Sequence, residues 1–121
     1  MDFETLSRWA EDEVRAVRKA LPKDVCEAAD KVLLSFEDSP EKDGPDAGLM
    51  GDELGLFEGA PLHDAPEPLD MPRIRLFLGN LWDWVEGDED DYRDEVGTTY
   101  LHELGHYLGW DEDDLAARGL D

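Results

Sequence analysis

The sequence is short of basic residues, cysteine and long apolar runs, and each shortage closes off a class of function. Lys and Arg number 11 against 33 Asp and Glu, so the formal net charge is −22. Nucleic-acid backbones are bound largely through Lys and Arg, so direct binding to them is disfavoured. An anionic membrane surface is disfavoured for the same reason. Cations, basic peptides and basic protein surfaces are attracted instead. The single cysteine, Cys26, forbids an internal disulfide and fits a reducing compartment. No apolar stretch approaches the roughly 20 residues that cross a bilayer. The opening residues, Met1-Asp2-Phe3-Glu4, are acidic where a signal peptide is basic. These features point to a soluble, cytoplasmic chain. One unusual consequence of the charge stays open: a small acidic protein can mimic DNA and occupy a DNA-binding protein.

What is present suffices for one modest core. Of 121 residues, 40% are hydrophobic, with four Trp, four Phe and three Tyr, and a chain of this length reads as a single domain over residues 1–121. Phe3, Leu6, Ala10, Val14, Val17 and Leu21 recur at helical spacing and predict an amphipathic helix over 3–21, stopped by Pro22. Residues 23–30 can add a short helical turn. Lys31–Glu37 reads as a strand. Residues 39–72 hold six of the seven prolines, five glycines and one basic residue, Lys42, which is loop chemistry. A structureless loop of that length is unusual in a compact domain. Glu53–Gly59 is therefore read as a short strand, its flanking Gly and Pro marking an edge position. Arg73–Leu78 is the clearest strand, with Ile74, Leu76 and Leu78 on one face and Arg73, Arg75 and Phe77 on the other. Leu81, Trp82, Trp84 and Val85 read as an apolar turn. A helix follows from about Asp88 to Leu108, stopped by Gly109, and a last short helix is expected over 112–118. The order predicts a small α+β domain.

The informative stretch is His102-Glu103-Leu104-Gly105-His106-Tyr107-Leu108-Gly109. Helix positions i and i+4 share a face, so His102 and His106 project together, with Cβ atoms about 6 Å apart. Two imidazoles so placed can grip one zinc ion. Glu103 can reach a zinc-bound water from the rim of the same helix. Leu101, Leu104, Tyr107 and Leu108 lie mostly on other faces and can anchor the helix. The competing reading is a surface helix with two incidental histidines. Chance produces this five-residue pattern in on the order of one shuffled chain in a hundred, and here it falls on an independently predicted helix.

Two histidines need a third protein ligand. Trp110 is followed by four acids, Asp111, Glu112, Asp113 and Asp114. Gly109 lets the chain reverse, which favours Glu112, while Asp111 or Asp113 can instead cap the last helix. His63, in the proline-rich region, is a further candidate, as ligand or as transition-state donor. Tyr100 and Tyr107 are candidate donors of the same kind.

The stretch His102–Leu115 resembles the metal helix of the small bacterial zincin-like metallopeptidases. These are minimal proteins with a metzincin-like H-E-x-x-H-x-x-G-x-x-acid pattern. The resemblance extends upstream to Leu54–Leu62 and Arg73–Phe77 and covers most of the chain. It implies a compact α+β fold with the active-site helix packed on a small mixed sheet, zinc as cofactor and peptides or proteins as substrates. The family's third-ligand position usually carries Asp and maps to Glu112. True metzincins add a third His and a downstream Met-turn; here no Met follows Met71.

The mechanism so implied is peptide hydrolysis, with Glu103 as general base. A substrate strand would pair along the edge near Leu56 and Phe57. A metal-binding protein without peptidase activity and an acidic interaction protein are the competing expectations.

Overall fold

A computed structural model describes residues 1–40, 50–59 and 72–109. Helix α1, Phe3–Ala20, begins at Asp2, whose side chain accepts from the Thr5 N–H at 2.8 Å, a normal cap for an otherwise unpaired helical N–H. It ends at Leu21, which is extended as residues before proline prefer to be. Its buried face is Leu6, Ala10 and Val14. A second short helix, α2, Lys23–Ala29, buries Val25 and Ala29 and leads into the sheet.

Three strands form that sheet: β1, Leu33–Glu37, β2, Gly55–Glu58, and β3, Arg73–Phe77. The order is β1-β3-β2, with β1 parallel and β2 antiparallel to β3. The expected strand inside the Gly/Pro-rich region thus exists and lies at an edge. The central strand is covered on both faces, since Ile74, Leu76 and Phe77 are all fully buried. Ile74 and Leu76 join one core cluster with Leu6, Ala10, Val14, Val96, Tyr100 and Leu104.

The opposite face of the sheet is held by charge. Arg75 donates through Nε and Nη2 to the two carboxylate oxygens of Glu37, both at 2.7 Å, and through Nη1 to Glu58 at 2.6 Å. Its guanidinium also lies 5.0 Å from the Phe77 ring centroid. A planar fork suits this bidentate geometry. One side chain on the central strand therefore ties down both edge strands.

The segment after β3 departs from expectation. Leu78 was expected to end the strand and Leu81–Val85 to form an apolar turn; instead Leu78–Trp84 is a helix, α3. Its first turn is fixed by tertiary hydrogen bonds. The N–H groups of Gly79 and Asn80 donate to the Asp38 carbonyl at 3.0 and 3.3 Å. The Asn80 side chain donates to the carbonyls of Gly51 and Glu53 at 2.9 and 2.8 Å. Residues that read locally as strand breakers are used here to join three segments.

Helix α4, Glu89–Leu108, starts at Asp88, whose carboxylate accepts from the Asp91 N–H at 2.9 Å. Three acids in its first turn suit the positive end of the helix dipole. Trp9, Trp82 and Tyr92 pack in a triangle with centroids 5.7–6.1 Å apart, joining α1, α3 and α4. The Tyr92 hydroxyl donates to the Leu6 carbonyl at 2.8 Å. Among the described residues no helix is long and apolar enough to cross a membrane. The helix expected over 112–118 lies outside the described residues. Helices flanking a three-stranded mixed sheet make this a small α+β fold.

Candidate metal centre

The last two turns of α4 sort their residues by face. Leu104, Tyr107 and Leu108 are buried, and Tyr107 packs against Phe57 of β2 with centroids 5.8 Å apart. That anchoring leaves His102 and His106 on another face. Their rings lie 4.6 Å apart, inclined at 62°. The helix then stops at Gly109, whose φ of 76° is left-handed, a conformation that glycine adopts without a Cβ penalty.

Glu103 is unlike the two histidines beside it. Its residue is only 7% exposed, whereas the His106 side chain is half exposed. Glu103 Oε2 lies 3.4 Å from His106 Nδ1. One ligand atom each from His102, Glu103 and His106 fall within 4.8 Å of one another. Two nitrogens at about 2.1 Å from one zinc can be at most about 4.2 Å apart, so small side-chain rotations suffice to close the group. Burial pushes the Glu103 carboxyl above its ordinary range. The neighbouring His106 and His102, and a backbone hydrogen bond from Phe57, pull it back in part.

That hydrogen bond follows from the strand register. Phe77 donates to the Leu54 carbonyl at 3.0 Å, and Leu56 pairs with Arg75. Alternation along an antiparallel ladder then turns the backbone groups of Gly55 and Phe57 to the side of β2 away from β3, where no described strand pairs with it. This free edge runs beside α4. Gly55 permits the close approach, since a Cβ there would sit 2.7 Å from Thr99 Cγ2. Between strand and helix opens a groove of about 360 Å³, lined by Glu53, Leu54, Gly55, Glu95, Thr98, Thr99, His102 and Glu103.

The structure thus brings together His102, Glu103 and His106. Glu112, Asp111, Asp113, Asp114 and His63, the candidates for a third ligand, lie outside the described residues. Tyr100 and Tyr107 are both 4% exposed and belong to the core. Sequence reading missed Glu95, Thr98 and Thr99. The signal was available, because residues 95, 98 and 99 precede His102 at helical spacings of seven, four and three. It missed the Phe57 N–H for a better reason: backbone direction at an edge depends on pairing with a distant strand.

Residues 29–120, about three quarters of the chain, match the family model described as zincin-like metallopeptidase. No curated protein matches the sequence. The family match spans all three strands and the whole of α4 with its His102-Glu103-His106 group, and the chain belongs to the zincin-like metallopeptidase family.

Proposed function

We propose that the protein is a zinc-dependent peptidase in which His102, His106 and Glu112 hold one zinc ion and Glu103 is the general base. The observation that carries this reading is the buried Glu103 carboxylate, set between two histidines of one helix and the free edge of β2. The donor set fits the metal, since imidazole nitrogen and carboxylate oxygen both suit zinc. Half-exposed His106 leaves a side of the group open to solvent, as a catalytic rather than a structural site requires. When bound, zinc would supply Lewis acidity and bring the pKa of a water to about 7.

The remaining work falls to the chain. The outward N–H and C=O of Gly55 and the C=O of Phe57 would pair with an extended substrate, while the Phe57 N–H stays with Glu103. Such pairing places a scissile carbonyl against the histidine face of α4. Glu103 would accept a proton from the attacking water and return it to the leaving amine nitrogen. Burial that raises the Glu103 pKa moves it toward the range where both transfers are efficient. The cytoplasm is the compartment we favour, on the single cysteine.

The experiment pairs metal content with turnover. His102→Ala and His106→Ala should each lose zinc, and Glu112→Ala should weaken zinc binding far more than Asp111→Ala, Asp113→Ala or Asp114→Ala. Glu103→Gln should keep its zinc while hydrolysis of a peptide library drops by about 10²–10⁴-fold. Loss of zinc in Glu103→Gln would make Glu103 a ligand and overturn the assignment. Zinc retained with no hydrolysis in the unaltered protein would favour a metal-binding role without catalysis.

A further inference from the structure

We infer that the groove between β2 and α4 is a specificity subsite for a lysine or arginine of the substrate, and that Glu95 is the residue that selects it. The inference rests on the peptidase reading for its position and on the groove itself for its chemistry. The groove meets the proposed reaction centre directly, because His102 and Glu103 are among its lining residues. Small residues, Gly55 and Thr99, meet within it. Two acids also line it, Glu95 from the helix and Glu53 from the segment before β2.

Those acids differ in what they already do. Glu53 accepts from the N–H groups of Met50 and Gly51 at 2.9 and 2.8 Å, so it is committed to shaping its own turn. Glu95 shares the groove-lining face of α4 with Thr98, Thr99 and His102 and is itself only partly exposed. Among the described residues no basic side chain lines the groove. A neutral or acidic occupant would leave this negative field uncompensated, whereas a cation would be matched by it.

The distances suit a long side chain. Seven residues of helix separate Glu95 from His102, about 10 Å at 1.5 Å per residue. One residue of extended peptide covers about 3.3 Å. The flexible stem of lysine, or the longer arm of arginine, spans the rest. Its methylenes would lie along Leu54, with the charge at Glu95. The net charge of −22 would add long-range attraction for the same substrates without fixing where they sit.

The test uses two acetylated, amidated pentapeptides, alanine except for a central lysine or norleucine, which differ in one charge. Hydrolysis is measured with zinc-loaded protein, and binding is measured by calorimetry with zinc-loaded Glu103→Gln. The lysine peptide should be preferred about tenfold in kcat/KM and in affinity, the scale of one charge-assisted hydrogen bond in a partly desolvated groove. Glu95→Gln should bring that ratio close to one, and added salt should narrow it in the unaltered protein. Unchanged zinc content and melting temperature in Glu95→Gln would show that the fold is intact. Equal treatment of both peptides, a preference that survives Glu95→Gln, or no binding of either at millimolar concentration would each overturn the inference. If neither peptide is cut but lysine is bound in a Glu95-dependent way, the subsite stands and the peptidase reading falls.

Discussion

Two polar clusters border the same small sheet, one on the face that carries Arg75 and one between α4 and the edge of β2, and they are built on opposite principles. Around Arg75, three guanidinium nitrogens meet carboxylate oxygens of Glu37 and Glu58 at 2.6–2.7 Å. Around Glu103, the tightest described contact to a histidine is 3.4 Å, and the His106 ring is half exposed. The first cluster satisfies itself. The second brings together electron-pair donors with few partners among the described residues, while burial works against the Glu103 charge. Self-satisfied groups hold a structure together. Groups held close while short of partners are what a ligand can complete, and perturbed titratable groups gather at such places.

The contrast predicts opposite responses to metal and to mutation. Zinc at about 100 times its dissociation constant should stabilise the unaltered protein by about 2.7 kcal/mol, a rise of about 10 °C in melting temperature for a chain of this size. A chelator should reverse the rise, and His102→Ala should abolish it. Arg75→Ala should leave the zinc-induced rise in place, because its cluster takes no part in holding the metal. Thermal scans with and without zinc check all three outcomes. An equal rise in His102→Ala would place the metal elsewhere.

Removing Arg75 should instead lower stability whether or not zinc is present. Breaking a buried pair costs about 3–5 kcal/mol. Glu37 and Glu58 are about a third and two fifths exposed and can regain water, so a loss of about 2–3 kcal/mol is expected. Urea unfolding would measure it. A loss below about 0.5 kcal/mol would mean that apolar packing alone holds the edge strands.

A smaller effect comes from Tyr92, a third buried polar group, which donates one hydrogen bond and is otherwise enclosed by rings. Burial raises its pKa well above the ordinary 10. The neutral form is therefore the one that folds. Its contribution is complete below about pH 10 and is lost as pH rises beyond that value, where the unfolded chain ionises first. Tyr92→Phe should cost about 1 kcal/mol at neutral pH and should flatten the fall in stability above pH 10. An alkaline limb unchanged in the variant would assign that fall to other groups, with Tyr100 the next candidate because its pKa is also raised by burial.

What the sequence determined by itself is local and periodic. Helix α1 was legible because its apolar residues recur at helical spacing up to Pro22, and α4 because acids gather at its start and Gly109 stops it. The strand pattern of β3 and the pairing of His102 with His106 were legible for the same reason: one turn of one helix, or one alternation of one strand, sets the geometry. Three things were decided only by the tertiary structure. Residues Leu78–Trp84 became a helix because Asp38, Gly51 and Glu53 accept the hydrogen bonds that its first turn offers. Arg75 became a clamp because β1 and β2 both pair with β3 and bring two carboxylates to one guanidinium. The groove beside the histidines exists because the free edge of β2 packs against α4 at Gly55 and Thr99. Each of these needs partners at least 17 residues apart in the chain. Spacing along a sequence reports what one element does to itself, whereas contacts between elements depend on register and approach, which arise only when the elements meet.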